Sequence, residues 1–264
     1  MDNSLYTVQK RKYVLTDIGL VQLVQDYNLG YSQQKIAKKF GVSEDTVRIW
    51  MKENQIPTRK RKYSINETYF DVLIAPEQAY WLGFLSADGY VHNERGEIQL
   101  QLQGADQNHV QKFADTIGSN KPLMKILCGD EQQYTAYRFV IRCRHMVDTL
   151  QKYNIVQAKS LSFYPINIPD NLFKYWILGY MDGDGCIFQT KNRIKISFTG
   201  TEKTLSMIKN ALNSTNVITK EHRCENTYKF TLEVDKSEAF LKEMKYNELP
   251  YVLERKKQRY CSFI

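Results

Sequence analysis

Two aspartates, Asp88 and Asp184, occupy repeated positions that could do chemistry. Each stands between an apolar stretch and a glycine, in LGFLSADGYV, which begins at Leu82, and in ILGYMDGDGCI, which begins at Ile177. We expect each apolar stretch to form a helix that ends at its aspartate. The C-terminus of a helix carries partial negative charge, so a carboxylate there is disfavoured. Two such helices packed side by side in parallel would also bring the carboxylates together, which raises a pKa or attracts a cation.

A divalent metal ion would relieve that repulsion. Hard cations take oxygen ligands and Mg²⁺ is the usual ion of phosphate chemistry, so we expect Mg²⁺ at Asp88 and Asp184, with Mn²⁺ as a substitute. Two carboxylates that hold metal beside a basic surface are suited to metal-assisted hydrolysis of a phosphodiester. The alternative is that each aspartate merely caps a turn, but a matched pair in a repeat favours the metal site.

Small residues four positions apart lie on one face of each predicted helix. Glycine costs roughly 1 kcal/mol inside a helix, so it needs a structural reason. Close approach of two backbones is such a reason, and we expect the two helices to pack face to face between two similar halves. Gly89 and Gly185 are the predicted C-terminal caps. The small residues are Gly83 with Ala87 and Gly179 with Gly183.

A repeated order of elements surrounds the two aspartates. Apolar residues at helical spacing or in strict alternation predict an α+β fold. The first unit has helices near 75–85, 108–117 and 146–153, with strands at 97–103 and 137–144. The second has helices near 173–181, 203–212 and 237–245, with strands at 191–199 and 227–234. We assign the two units to residues 63–169 and 170–264.

One face of each predicted sheet is apolar, and the other carries mainly Gln, Arg, Lys, Ser and Thr. Such side chains read base edges or contact phosphates. An ordinary solvated face would carry more acidic residues, although Glu97 and Glu233 show that the bias is incomplete. The candidate DNA-binding residues on this face are Gln99, Gln101, Arg138, Arg142, Arg193, Lys195 and Lys229.

The N-terminal segment predicts a small all-α domain. In YSQQKIAKKFGVSEDTVRIWMKENQIP, Ser32 and Ser43 are expected to cap two helices, and Gly41 to end the first. A small residue at Ala37, the glycine in the turn and an aliphatic residue at Val47 are typical of a helix-turn-helix. A plain helical hairpin that serves as a lid is the alternative.

A basic linker, PTRKRKYS, follows the predicted helix-turn-helix. Residues 1–62 hold 12 Lys and Arg against 6 Asp and Glu, which suggests a nucleic-acid partner. Glu44 and Asp45 would repel phosphates at the start of the second helix. The candidate DNA-binding residues of this segment are Thr46, Arg48, Lys52, Arg59, Lys60, Arg61 and Lys62.

Composition narrows the class of protein. The chain has 264 residues, a net charge of +8 and five cysteines without a CxxC pair, which favours neither a zinc site nor a disulfide framework. The N-terminal MDNSLYTVQKRK lacks the apolar core of a signal peptide, and no run is long enough to span a membrane. We therefore expect a protein that is not secreted and has no membrane partner, cytoplasmic in a bacterium or encoded by a phage, or organellar. The final CSFI lacks a splice-junction His-Asn, so we expect no intein.

The two aspartate-bearing stretches resemble the motif that names the LAGLIDADG homing endonucleases. Aligned with its nine letters, the copies are WLGFLSADG and ILGYMDGDG. The resemblance covers residues 75–264, and two copies in one chain resemble the monomeric, pseudo-symmetric members. It implies two αββαββα units with the motif helices at their interface and the sheets forming a DNA-binding saddle in the major groove.

The resemblance also assigns the motif's acidic letters. The family's metal-binding acid is the eighth letter, which falls on Asp88 and Asp184. The residues before them, Ala87 and Gly183, are implied to offer backbone carbonyls. The sixth letter is acidic and mainly structural in the family. Asp182 matches it and Ser86 departs, a change expected to affect packing more than chemistry.

Further site residues follow from the same resemblance. The family places a lysine after the last helix of each unit, near the scissile phosphates. Lys159 matches, and in LERKKQRY the choice is Lys256, with Lys257 as a near alternative. A polar residue at the end of the first long strand helps to position the attacking water, and these places fall on Gln103 and Thr199.

These features predict a monomeric, site-specific endonuclease that cuts both strands of double-stranded DNA at a long target. An intron RNA maturase and a non-cutting DNA-binding regulator on the same fold are the alternatives. The intact aspartates and lysines favour cutting, because RNA binding or regulation does not require them.

Overall fold

The computed structural model describes residues 4–9, 12–58, 62–130, 133–221 and 226–264. The chain divides into two units, Met1–Lys62 and Tyr63–Ile264. Each unit has its own cluster of buried apolar side chains. The linker residues Arg59, Lys60 and Arg61, which were predicted to contact DNA, lie outside the described residues.

The first unit is a β-hairpin followed by three helices. Ser32 and Ser43 accept hydrogen bonds from the backbone N–H groups of Lys35 and Thr46, and so confirm the two predicted N-caps. Gly41 ends α2 with φ of 69°, a left-handed conformation that glycine adopts without steric cost. The elements are β1 (Tyr6–Gln9), β2 (Lys12–Leu15), α1 (Asp17–Asn28), α2 (Gln33–Phe40) and α3 (Glu44–Glu53).

The β-hairpin corrects the prediction of an all-α unit. Trp50 of α3 donates from Nε1 to the carbonyl of Tyr13 over 2.9 Å. The ring of Tyr6 packs against Trp50 and edge-on against Tyr13. The strands carry no strong apolar alternation because most of their side chains are exposed. The hairpin thus depends on a tertiary contact with α3 that local sequence does not reveal.

The second unit contains the predicted repeat. Each half begins with a motif helix and pairs its four strands antiparallel, in the orders β3-β4-β6-β5 and β7-β8-β10-β9. The first half comprises α4 (Pro76–Asp88), β3 (Gly89–His92), β4 (Glu97–Gln103), α5 (Gln107–Thr116), β5 (Met124–Cys128), β6 (Tyr134–Arg142) and α6 (Arg144–Lys152). The second comprises α7 (Asp170–Asp184), β7 (Gly185–Thr190), β8 (Arg193–Gly200), α8 (Glu202–Ala211), β9 (Ile218–Lys220), β10 (Tyr228–Thr231), α9 (Val234–Glu243) and α10 (Glu254–Cys261).

The alternation predicted for the long strands is confirmed by burial. Ile98 and Leu100 of β4 and Phe139 of β6 are buried on one face of the first sheet. Gln101 lies opposite Arg138 on the other face. In the second sheet, Ile196 and Phe198 are buried in the same way. One face of each sheet therefore belongs to the core, and the other carries polar side chains, of which Ser197 is buried.

The last strand of the second half is shorter than predicted. β10 ends at Thr231, and α9 begins at Val234, within the segment that alternation assigned to a strand. The Glu233 carboxylate accepts hydrogen bonds from Ser214 Oγ and Thr215 N, which hold the chain where it turns into α9. These partners are distant in sequence, so the alternation of residues 228–234 could not reveal the turn.

The motif helices α4 and α7 pack backbone against backbone. A Cβ added to Gly83 would overlap the carbonyl oxygen of Trp176, and one added to Gly179 would overlap that of Tyr80. A Cβ on Gly183 would likewise overlap the side chain of Ala87. The contacts follow the same order along both helices, so α4 and α7 run parallel and their C-terminal ends lie together.

Gly89 and Gly185 cap the motif helices as predicted, but in an extended conformation. Their φ,ψ angles are −73°, 143° and −107°, 174°, which any residue can adopt. Glycine is needed for space, because a Cβ would lie 2.5 Å from the carbonyl oxygen of Leu85 or Met181. The chain therefore passes directly from each motif helix into a strand.

Gly83→Ala and Gly179→Ala are each expected to lower the free energy of unfolding by about 1–3 kcal/mol or more. The added methyl group meets a backbone carbonyl, which cannot rotate away as a side chain can. Urea denaturation followed by circular dichroism measures the effect. Asn210→Ala, on the exposed face of α8, is the control and should change the free energy by less than about 0.5 kcal/mol. Similar values at all three positions would contradict the backbone contact.

Candidate active site

Asp88 and Asp184 meet where the two motif helices end. Each is the last residue of its helix, and the parallel packing of α4 and α7 places both ends side by side. The Oδ2 atom of Asp88 lies 3.4 Å from the position that a Cβ on Gly183 would occupy. Both aspartates expose part of their surface to solvent at the end of this interface. The structure thus brings together the two residues that the sequence singled out.

The charge of Asp88 raises the affinity of Asp184 for a proton. Burial among protein atoms and then the charge of Asp88 raise the pKa of Asp184 to about 6. Burial is also the main cause that raises the pKa of Asp88, while Lys256 and then Lys159 lower it. The pair therefore carries electrostatic strain that a cation would relieve.

Lys159 and Lys256 are buried beneath the ends of the motif helices. Lys159 donates from Nζ to the carbonyl oxygens of Gly89 at 2.5 Å and Ala87 at 3.4 Å. Lys256 contacts the corresponding carbonyls of Gly185 at 2.7 Å and Gly183 at 3.4 Å. Each lysine thus compensates the negative end of its own half's helix.

Lys256 rather than Lys257 occupies the position that matches Lys159. The Lys256 ammonium also donates to the carbonyls of Met181 and Asp182, both at 2.7 Å, whereas Lys257 contacts only the carbonyl of Leu249 in this region, at 3.3 Å. Three short bonds use all three protons of the Lys256 ammonium. Its role is therefore to hold the helix end and its charge in place.

The lysines act across the interface between the halves. Burial lowers the pKa of Lys159, and the charge of Asp184 opposes that effect more than the charge of Asp88 does. Burial likewise lowers the pKa of Lys256, which in turn lowers that of Asp88. Each half of the site therefore combines an aspartate from one motif helix with a lysine from the other half of the unit.

A pocket of about 210 Å³ adjoins one aspartate. Lys159, Asp184 and Thr199 line it, together with Ser86 and Tyr180. Tyr180 donates its hydroxyl proton to the carbonyl of Thr199 over 2.9 Å. A predicted aspartate, lysine and strand-end residue thus share one cavity large enough for water molecules or a phosphate oxygen.

The sixth motif letter makes contacts across the helix interface. Asp182 is fully buried and accepts hydrogen bonds from Tyr80 Oη and Tyr246 Oη, each at 2.7 Å, and from Leu253 N at 2.9 Å. Ser86, in the corresponding place, accepts a bond from Trp176 Nε1 at 3.2 Å. The short serine side chain suits the first copy because its donor, the indole of Trp176, is longer than the phenol of Tyr80 that bonds to Asp182.

Gln103 is the last residue of β4, and Thr199 directly precedes Gly200, the last residue of β8. Gln103 is exposed and donates from Nε2 to Asp106 Oδ2 at 3.0 Å. Thr199 is half-buried beside the pocket. Asp106 and its partner Arg255 were missed in the sequence, because an ion pair between residues so far apart leaves no local pattern.

The polar sheet faces hold the predicted DNA-binding residues with unequal freedom. Arg138 donates to Gln101 Oε1 at 2.8 Å, which fixes its guanidinium beside the glutamine. Arg142 pairs with Glu97 at 2.6 Å. Two acids of α9 neutralise Arg193, which forms ion pairs with Asp235 at 2.7 Å and Glu238 at 2.6 Å. Gln99 and Lys195 are half-buried on their strands, and Lys229 is exposed.

In the first unit, two of the predicted DNA-binding residues of α3, Arg48 and Lys52, are exposed, and Thr46 is half-buried. Thr46 shares a 2.8 Å hydrogen bond with the capping Ser43. Arg48 pairs with Asp45 at 2.5 Å on the exposed surface, and Lys52 lies in the last turn of the helix. Asp45, one of the two acids expected to repel phosphates, thus balances the charge of Arg48. Lys62 is exposed at the end of the unit.

The oxygen atoms at the helix ends suit a hard divalent cation. The available donors are the carboxylates of Asp88 and Asp184 and the carbonyls of Ala87 and Gly183. In the described part of the chain, no cluster of three or more His, Cys, Asp or Glu residues could hold a metal ion. A cation at this pair would therefore keep several water or substrate oxygens in its coordination shell, as Mg²⁺ commonly does.

Comparison with known proteins gives one family match. A homeodomain-like domain matches residues 18–55, and a search of curated proteins finds no match. The segment 18–55 includes α2 and α3, which carry the predicted helix-turn-helix.

Similar solved structures include two DNA-bound endonucleases and a third protein. The LAGLIDADG meganuclease I-AabMI bound to uncleaved DNA is 14% identical, with 72% of this chain and 90% of that chain covered and a TM-score of 0.47. The homing endonuclease I-WcaI bound to its DNA recognition sequence is 10% identical, with 78% and 96% covered and a TM-score of 0.49. Full-length DUF199/WhiA from Thermatoga maritima is 16% identical, with 75% and 63% covered and a TM-score of 0.46. At these sequence identities and TM-scores, the function has to be argued from this chain's own residues.

A membrane span finds no support in the described residues, where no helix combines the required length with the required apolar character.

Asp184→Asn is expected to raise the melting temperature at pH 7.5 in the presence of EDTA. The Asp184 pKa is about 6 in the folded protein against 3.8 for a free carboxyl. The folded state therefore binds more protons between these values, so this group's contribution to stability falls as pH rises from about 4 to 6. The gain should vanish at pH 3.5, and Mg²⁺ should stabilise the native protein more than the variant.

Asp170→Asn, at the exposed start of α7, is the matched control for this measurement. It removes a carboxylate from the favourable end of the same helix and should lower stability slightly at pH 7.5. A melting temperature that falls for Asp184→Asn as it does for Asp170→Asn would contradict the proposed repulsion.

Proposed function

We propose that this protein is a site-specific DNA endonuclease that hydrolyses one phosphodiester in each strand of a long target. The observation that carries the proposal is the meeting of Asp88 and Asp184 at the parallel ends of α4 and α7, with a buried lysine beneath each end. A structural interface needs no such pair of carboxylates, since their proximity opposes folding.

Asp88 and Asp184 would hold the divalent cation, with the carbonyls of Ala87 and Gly183 as further donors. When bound, such a cation lowers the pKa of a coordinated water and stabilises negative charge on a phosphate. Mg²⁺ fits the oxygen donors, and Mn²⁺ would be expected to replace it.

The surrounding residues position water and phosphate. Thr199 lines the pocket beside Asp184, and Gln103 ends β4, the strand that pairs with the residue after Asp88. A hydroxyl or an amide at these places can exchange hydrogen bonds with an attacking water. The two bonds of Lys159 use two of its three protons, so its ammonium can also stabilise charge at the pocket. Lys256, with all its protons engaged, fixes the helix end.

The outer sheet faces are proposed to contact the bases. Arg138, oriented by Gln101, keeps guanidinium nitrogens available for a guanine edge, and glutamines such as Gln99 suit adenine. Lys195 and Lys229 suit phosphates. Contacts along two sheets would cover a target longer than one turn of the DNA double helix. A target of that length would make cutting site-specific.

The first unit is proposed to add DNA contacts through α3. Its helix-turn-helix exposes Arg48 and Lys52 on one helix, with Thr46 half-buried at the start of that helix. A second binding module on the same chain raises the overall affinity without changing the catalytic pair. This role fits a protein that acts as a monomer.

The proposal is tested with a supercoiled plasmid library that carries long randomised inserts, incubated with the full-length protein and Mg²⁺. We expect a subset of plasmids to be linearised at one sequence. On that target, Asp88→Asn and Asp184→Asn should each lower the cutting rate roughly 100-fold or more, because each removes a carboxylate that would hold the cation. Asp170→Asn, at the other end of α7, should cut at the native rate.

Other outcomes distinguish the remaining functions. Tight binding of selected DNA without cutting would favour a DNA-binding regulator, and stimulation of intron splicing without DNA cutting would favour a maturase. Undiminished cutting by both aspartate variants would overturn the assignment of the active site.

A further inference from the structure

A buried carboxylate holds the polar residue at the end of β4. Asp106, in the short 3-10 helix Gly104–Asp106, accepts the bond from Gln103 Nε2. Its residue is only 6% exposed, so its charge needs a partner. Arg255 of α10 supplies one, with Nη2 at 3.2 Å and Nε at 3.3 Å from Asp106 Oδ2. Gln103 is thus tied to the opposite half of the unit.

This ion pair borders the half of the site that contains Asp88. Gly89, the residue directly after Asp88, pairs with Leu100 of β4, and the same strand ends at Gln103, which bonds to Asp106. Arg255 also directly precedes Lys256, the lysine beneath the α7 end. One short helical segment therefore supplies both the buried lysine and the arginine.

The half that contains Asp184 is built differently. Ala158 precedes Lys159 where Arg255 precedes Lys256, and alanine offers no charge. Glu202, which corresponds to Asp106, is exposed. Thr201 instead donates its hydroxyl proton to the carbonyl of Phe163 at 2.5 Å. This half has Thr199 beside an open pocket in place of a glutamine held by an ion pair.

We propose that Asp106 and Arg255 are positioning residues that orient Gln103 in one half of the active site only, so the two DNA strands are cut by unequal machinery. The proposal rests on the endonuclease function proposed above. With Nε2 bonded to Asp106, the Gln103 amide presents Oε1 as an acceptor for a water proton. Without that bond the amide is free to rotate and the water loses a fixed partner.

Strand-resolved cutting tests the proposal. The selected target is labelled with a different fluorophore on each strand, and the nicking rate of each strand is measured with excess enzyme. The DNA strand that Gln103→Ala cuts more slowly than the native enzyme does is called the dependent strand. Asp106→Asn, which preserves volume, should slow that same strand roughly 10- to 100-fold and leave the other nearly unchanged. Arg255→Ala should act in the same direction but more weakly, because Arg255 is half exposed.

Thr199→Val is the matched variant in the other half and should slow the opposite strand. Asp106→Asn should add little to Gln103→Ala on the dependent strand, since residues that act through one another are not additive. Equal slowing of both strands by Asp106→Asn, or full additivity with Gln103→Ala, would overturn the proposal and indicate a purely structural ion pair.

The side-chain amide of Gln103 provides a test that requires no cutting. In ¹⁵N NMR spectra of the full chain, its two amide protons should give well-dispersed signals that Asp106→Asn and Arg255→Ala shift towards those of a free glutamine. Unchanged signals would overturn the positioning pair even if DNA is cut. A protein that cuts no target would overturn the endonuclease proposal, while the same spectra would still decide whether Asp106 orients Gln103.

Discussion

The backbone contact between α4 and α7 is the interaction on which the second unit depends. Gly83 and Gly179 allow each helix to approach the carbonyls of the other. Because the helices run parallel, the same contact fixes the separation of their C-terminal ends and hence of Asp88 and Asp184. The sheets follow directly from the helices through Gly89 and Gly185, so the polar sheet faces are oriented by the same interface.

The charges at this interface oppose the packing that creates it. Two carboxylates meet at the negative ends of two helices. Burial and then the charge of Asp88 raise the pKa of Asp184 to about 6. Lys159 and Lys256 compensate by donating to the terminal carbonyls, each at the end of its own half's motif helix. Such local destabilisation is typical of functional sites, where stability is lower than packing alone would allow.

Local patterns in the sequence predicted most of the fold and the centre of the site. Alternation in residues 97–103 and helical spacing before Asp88 and Asp184 determine the elements because one face of each is buried. The hairpin of β1 and β2, the early end of β10 and the pair Asp106–Arg255 were not predictable. Each depends on a partner far along the chain, such as Trp50 for Tyr13, and leaves no periodic signal.

Anomalous diffraction from crystals of the full chain grown with Mn²⁺ tests the central claim most directly. The account predicts an anomalous peak within bonding distance of carboxylate oxygens of both Asp88 and Asp184. It also predicts that the peak is lost in crystals of Asp184→Asn grown in the same way. Crystals that bind Mn²⁺ elsewhere but show no peak between these two carboxylates would contradict the claim that the helix interface assembles one shared cation site.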